Sequence, residues 1–403
     1  MARSRIRLAV SPPRRRFEPA EAPRPLVAEI VAAKRPSEPL ICLRPDTITA
    51  AARRFVAAFP GDVLYAVKCN PEPAVLRALW EGGVRQFDCA SPAEVALVRA
   101  MFPTAEIRYM HPVKGRAAIR EAYRAHGVRD FALDSAEELA KIRAETGLAT
   151  DLGLIVRLAL PKGPAAYDLS GKFGADVDDA AALLRAARPH AVRLGLAFHV
   201  GSQCLEPAAY ARAIALVGEV LQRAGVAIDV LDVGGGFPAS YPGVTPPALD
   251  VYMAAIAAAV ARLPQATAPR LWAEPGRALV AAGASVVVRV ELRKGQALYV
   301  NDGVYGSLSD AGAPGFRFPV RLIRKSDAPL AGFELWGPTC DSADRMRGPF
   351  ELPDDVREGD FVEIGQLGAY GACLRTAFNG FDRAHLVEVR DRPLLETPGV
   401  EPD

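Results

Sequence analysis

Residues 63–68 read VLYAVK, an apolar and aromatic run that ends on a single lysine, Lys68, and passes through Cys69 into the turn-forming pair Asn70-Pro71. The apolar part has the composition of a buried strand. An Ala-, Leu- and Arg-rich segment of helical character follows it. The same order of events recurs after QFDCAS (86–91), EIRYMHP (106–112), DFALDS (130–135), GLIVRLAL (153–160), RLGLAFHV (193–200), VLDVGG (230–235) and RLWAEPG (270–276). Eight consecutive βα units predict a TIM (β/α)8 barrel, in which strands covered on both faces read as near-continuous apolar runs.

Cap signals support the helices. Ser91-Pro92 places a capping hydroxyl and a first-turn proline ahead of AEVALVRAMF (93–102). Ser135 with Glu138 three residues on predicts a capping box, and Gly147 a helix end. Beyond residue 278 the texture changes. SVVVRVELRKG (285–295), FELWG (333–337), DFVEIG (360–365) and HLVEVR (385–390) are strands without long helices between them, and PLICL (39–43) adds one from the N-terminal side. The expected organisation is an α/β barrel over 45–280 and an antiparallel β domain assembled from 38–44 and 281–395. A basic, Pro-rich disordered arm over 1–37 and a tail over 396–403 flank them.

Composition narrows the function classes. The 403 residues carry 50% hydrophobic and 24% charged side chains and a formal charge of +2. That is ordinary globular composition, with no electrostatic footprint for nucleic acid or an acidic membrane surface. The arm carries Arg3, Arg5, Arg7, Arg14, Arg15, Arg16 and Arg24 and lacks the apolar core of a signal peptide. VYMAAIAAAVA (251–261) is too short to span a bilayer. Six scattered cysteines without a Cys-x-x-Cys pair fit free thiols in a reducing, cytoplasmic setting better than disulfides or a zinc site.

In a TIM barrel the chemistry gathers at the strand C-termini. Those ends carry Lys68, Asp88, Arg157, His199, Gly234-Gly235-Gly236 and Glu274-Pro275-Gly276-Arg277. A lysine at a strand end ordinarily reaches for water, a lone histidine is ordinarily a core residue, and three glycines are ordinarily a tight turn. Their place changes the reading. The loops after the seventh and eighth strands are the recurrent phosphate site of this fold, where backbone N–H groups, Ser202, Gly276 and Arg277 can converge on an anion. A lysine across the mouth from a phosphate cradle predicts pyridoxal phosphate. Lys68 would supply the amine, its pKa lowered by desolvation, and Glu274 would face the pyridine nitrogen. His199 would lie over the ring.

YAVKCN, FDCAS, FHVGSQ, LDVGGGFP, AEPGR, YVNDGVYGS, LWGPTCDSADRM and FNGF occur in that order. Together they resemble the fold-type III pyridoxal-phosphate decarboxylases of basic amino acids, the eukaryotic-type ornithine decarboxylase group, over residues 38–390. The resemblance implies an alanine-racemase-like barrel with a C-terminal β domain, and a head-to-tail homodimer with shared active sites. It also implies Lys68 as the Schiff-base lysine, Glu274 as the ring-nitrogen partner, and Ser202, Gly235, Gly236, Gly276, Arg277 and Tyr370 around the phosphate. Asp88 and Arg157 would support the cofactor's other side. Cys340 and Asp341 would come from the neighbouring subunit, the cysteine to protonate the carbanion and the aspartate to meet the substrate's distal ammonium, with Tyr305 beside them.

Two departures stand out. The usual second acidic residue after YVNDGVYGS has no clear counterpart in LSDAGAPGFRFP (308–319), so that contact moves to Asp310 or is absent, and Gln203 stands where many relatives have glycine. The expected activity is decarboxylation of L-ornithine to putrescine, with L-lysine a second substrate. A lysine-preferring or diaminopimelate-type decarboxylase, a racemase and a non-catalytic antizyme-inhibitor-like regulator are the alternatives.

Overall fold

The computed structural model describes residues 23–163 and 171–400; residues 1–22 of the arm lie outside that range. A helix, α1 (Val27–Lys34), and a strand, β1 (Leu40–Leu43), precede α2 (Pro45–Ala58). Strand and helix then alternate as β2 (Asp62–Ala66), α3 (Pro73–Glu81), β3 (Gln86–Cys89), α4 (Pro92–Met101), β4 (Glu106–Tyr109) and α5 (Arg116–Arg124). The alternation continues through β5 (Asp130–Leu133), α6 (Ala136–Glu145), β6 (Gly153–Arg157), α7 (Val177–Ala187), β7 (Arg193–Ala197) and α8 (Ala208–Ala224). It ends with β8 (Val230–Asp232), α9 (Leu249–Val260), β9 (Arg270–Ala273) and the short α10 (Arg277–Val280). Strands β2 to β9 pair in parallel, and β9 closes on β2 through Asp62↔Trp272 and Val63↔Ala273. These are the eight runs read from the sequence.

Inside the barrel, Leu64, Met110, Ala132, Ile155, Ala197, Val230 and Trp272 pack as one cluster. Below it, at the strand N-termini, Arg108 lies over the Trp272 ring and pairs with Asp130 and with Gln86. This floor confines the open end to the strand C-termini. The Ser91 hydroxyl accepts from the Glu94 amide and that of Ser135 from the Glu138 amide, as the cap signals require. The second half of the expected box is not made. The Glu138 carboxylate instead meets buried Lys114 at 2.9 Å and accepts from the Lys114 amide.

The remaining strands are β10 (Ala284–Lys294), β11 (Ala297–Val300), β12 (Val320–Leu322), β13 (Leu330–Trp336), β14 (Arg345–Pro353), β15 (Phe361–Ile364) and β16 (His385–Glu388). They form a sheet in the order β12-β15-β10-β11-β13-β14, and β1 joins it by pairing with β10 and β16. The sheet is mixed rather than wholly antiparallel, because β1–β16 and β11–β13 run parallel. Two further differences concern the ends. Part of the expected arm is α1, whose Val27, Ile30 and Val31 recur at helical spacing and bury against Leu40, Val287, Phe361 and Val389. In the expected tail, Thr397 accepts a hydrogen bond from the Val320 amide.

Candidate active site

Strand β2 stops at Ala66, and Lys68 sits just past it in a single 3-10 turn, Val67–Cys69. Asn70 fixes that turn, since its side chain accepts from the Glu72 amide and donates to the Gly368 carbonyl at 2.8 Å. The lysine therefore projects into the barrel mouth, where 44% of its side-chain surface faces a cavity of about 640 Å³. Asp88, Arg157, His199, Ser202, Glu274, Arg277, Asp310 and Tyr370 line the same cavity. Residues from the ends of five barrel strands thus meet in one chamber with two from the β-domain side.

The glycine loop is built for close approach. Gly234 and Gly236 have φ of +70° and +101°, and a Cβ on Gly234 would lie 2.1 Å from the Phe198 carbonyl oxygen. A Cβ on Gly235 would lie 2.7 Å from the Glu274 carbonyl oxygen and 2.9 Å from the His199 ring. Side chains are excluded there, so backbone lines the cradle. Gln203 also has a positive φ, +58°, a conformation that glycine adopts more readily. Its amide spans to Ala239, donating to the carbonyl at 2.6 Å and accepting from the N–H at 3.0 Å.

Several buried polar atoms in the chamber lack a partner among the described residues: Asp88 Oδ1, Glu274 Oε1 and Arg277 Nε. Together with a cradle that only glycine fits, they match a ligand with a cationic ring nitrogen and an anionic phosphate. The donor set fits pyridoxal phosphate.

Electrostatics assign the protonation states. Burial disfavours the Lys68 charge, but the Asp88 carboxylate, 2.9 Å from Nζ, and Glu274 outweigh it and raise the pKa. The expected lowering by desolvation is not found, because two carboxylates face the amine. Burial, then the positive charges of Arg157 and Lys68, push His199 well below the usual imidazole range. Its Nδ1 accepts from the Gly201 amide at 3.0 Å, so the ring is neutral. Burial, then the charges of Asp232 and Asp88, push Glu274 well above the usual carboxylate range. Its neighbour Asp232, wholly buried and accepting from the Gly234 amide at 2.8 Å, is pushed up to about 6 by burial. Two carboxyls in one dry site favour a shared proton.

Three of the expected residues lie elsewhere. Cys340, Asp341 and Tyr305 do not line the Lys68 cavity. They form a separate cluster on the β domain, where the Tyr305 hydroxyl donates to Asp341 and Asn379 accepts from the Cys340 amide. Cys340 is exposed. Asp310, to which the distal-ammonium contact either moves or is lost, lines the Lys68 cavity and is paired with Arg277.

The cavity also contains His111, Lys172 and Phe173, which the sequence reading passed over. His111 is the penultimate residue of the run EIRYMHP, so a histidine just past a strand end was the available signal. It meets the Phe173 ring edge-on at 5.1 Å.

A profile of the family described as "Pyridoxal-dependent decarboxylase, pyridoxal binding domain" matches residues 45–281. The chain is 34% identical to an ornithine decarboxylase of Panagrellus redivivus, over 89% of this chain and 88% of that protein. It is 34% identical to antizyme inhibitor 2 of Xenopus laevis, over 82% of this chain and 76% of the other. Among solved structures, a lysine/ornithine decarboxylase from Vibrio vulnificus complexed with putrescine superposes with a TM-score of 0.77 at 33% identity, covering 90% of this chain and 98% of that one.

Proposed function

From the premise that the chain belongs to the pyridoxal-dependent decarboxylase family, we propose that it converts L-ornithine to putrescine and carbon dioxide, and L-lysine to cadaverine more slowly. The observation that carries this reading is Glu274, a buried carboxyl at the end of β9 with one oxygen unpartnered in the Lys68 cavity. The bound cofactor supplies covalent attachment for the substrate amine and a ring that accepts the electron pair left when the carboxylate departs. Glu274, which its raised pKa keeps protonated before the cofactor binds, would pass that proton to the ring nitrogen and remain beside it as a carboxylate, strengthening the acceptor and favouring decarboxylation over a racemase chemistry that places arginine there.

The chain's own residues divide the remaining work. Lys68 would supply the amine that holds the cofactor, and Asp88 keeps its ammonium in place. Gly235, Gly236, Gly276, Ser202, Arg277 and Tyr370 would hold the phosphate. His199, neutral, would face the ring without adding positive charge. Arg157 would support the cofactor's other side.

Cys340 and Asp341 serve a second copy of the chain, in a homodimer with shared sites. Their separation from the Lys68 cavity within one chain supports this arrangement. Cys340 returns a proton to the α-carbon, and Asp341 receives the distal ammonium. The Ala343 amide and the Tyr305 hydroxyl hold Asp341 below the usual carboxylate range, so it is charged for that task.

Similarity to an antizyme inhibitor favours a second reading, a regulator without catalysis. The lysine, the glycine cradle and the unpartnered cofactor-facing atoms speak for catalysis. The deciding experiment is an assay of the purified, cofactor-loaded protein against ornithine, lysine, arginine and diaminopimelate, with the amine products identified. Ornithine should turn over fastest and lysine measurably. A preference for diaminopimelate, whose distal carboxylate would face Asp341, would overturn the substrate reading. Absence of turnover with all four would favour the regulator.

A further inference from the structure

Arg277 is almost wholly buried, and its two edges are treated differently. On one side, Nη1 donates to the Tyr241 hydroxyl and to Asp310 Oδ2, each at 2.9 Å. On the other, Nε has no partner among the described residues. Aromatic rings enclose the guanidinium: its Cζ lies 4.9 Å from the Phe316 centroid, 5.0 Å from Tyr370 and 5.8 Å from Tyr241. Tyr241 and Phe316 also meet each other, 5.3 Å apart.

Asp310 and Phe316 come from one tight loop between β11 and β12. The Phe316 amide donates to the Asp310 carbonyl at 2.9 Å, which brings the carboxylate and the ring to Arg277 together. This loop lies in LSDAGAPGFRFP, where the chain departs from the family pattern. Burial opposes the Arg277 charge, and Tyr241 and Asp310 more than restore it.

We propose that Asp310 is a positioning residue for the cofactor phosphate rather than an anchor for the substrate. With Phe316, it clamps the Nη1 side of Arg277 so that the Nε side is presented to the phosphate. A guanidinium held at one edge loses less side-chain freedom when its other edge binds an oxyanion. The β-domain loop thereby controls how tightly the barrel holds its cofactor. Distal recognition of the substrate falls to Asp341 alone. The inference rests on the reading of Arg277 as a phosphate donor, and not on which amino acid is decarboxylated.

The test is titration of the cofactor-free protein with pyridoxal phosphate and, separately, with unphosphorylated pyridoxal, followed by visible absorbance. Asp310→Asn should weaken pyridoxal phosphate roughly ten- to hundred-fold, the scale of one lost charge-assisted hydrogen bond. Pyridoxal affinity should change little, so discrimination between the two falls. Asp310→Glu should recover part of the loss. Phe316→Leu, which keeps every charge, should shift discrimination the same way and carries the test if Asp310→Asn does not fold. At saturating cofactor the KM for ornithine should stay within about twofold of the unmodified protein.

Equal weakening of both ligands, or unchanged cofactor affinity with a raised ornithine KM, would overturn the proposal. Arg277→Gln separates the two layers. If it leaves pyridoxal phosphate affinity intact, the cradle reading itself fails. If it weakens affinity while Asp310→Asn does not, only the clamp fails.

Discussion

Asp232 and Glu274 end neighbouring strands and put two carboxyl groups into a space without water-facing surface. Asp232 is pushed up to about 6 by burial, from an ordinary 3.8. The sign follows from proton counts. Between those values the folded protein holds a proton that the unfolded chain has released, so stability falls as pH rises through about 4 to 6. Asp232→Asn keeps an acceptor for the Gly234 amide and removes the titration. The variant should match the parent near pH 4 and be the more stable by pH 7, by at most about 3 kcal/mol for a shift of this size. Thermal melts of both cofactor-free proteins across that range check it, and a gap that does not change with pH would contradict it. Sequence made Glu274 legible because it ends a strand beside a glycine loop. Asp232 stands in LDVGGGFP without a signal of its own, since only burial gives it a proton.

At the scale of elements, Lys114 ties three of them together. Its buried ammonium meets Glu138 of α6 at 2.9 Å and donates to the His111 carbonyl and to the Ala132 carbonyl of β5. Burial lowers its pKa to about 8 despite Glu138. The loop it holds carries Met110, His111 and Pro112 into the cavity wall. Lys114→Met leaves the buried Glu138 carboxylate with Lys141 and the residue-114 amide but without its buried cation, and should cost about 3 kcal/mol. Adding Glu138→Leu should return much of that loss, because the uncompensated charge goes with it. Urea denaturation of the single and double variants measures both. A single variant as stable as the parent would show that the ion pair is not structural. From sequence, Ser135 and Glu138 spelled a capping box, and only half of it forms. Lys114 lies 24 residues upstream, and local spacing cannot see a partner brought in by the preceding βα unit. The helix over Val27–Lys34 was legible at its i, i+3, i+4 apolar positions, but the arginines and prolines before it drew it into the arm.

Over the whole molecule, the barrel was legible because each strand is a short apolar run that ends in a polar or glycine-rich loop. The β domain was legible as strands, with its N-terminal piece PLICL correctly joined to it through β10. Strand direction was not, because alternation reports which face is buried and not which way a neighbour runs. VRL (320–322) and ALYV (297–300) were too short to stand out. The two clusters proposed to act together, one around Lys68 and one around Cys340, are apart within a single chain, so a second copy is needed to unite them. Lys68→Ala and Cys340→Ala proteins should each be nearly inactive on ornithine. Mixed and allowed to exchange subunits, they should recover about a quarter of the unmodified activity, since half the dimers are mixed and each has one intact site of two. No recovery despite demonstrated exchange would contradict the shared site and place catalysis within one chain.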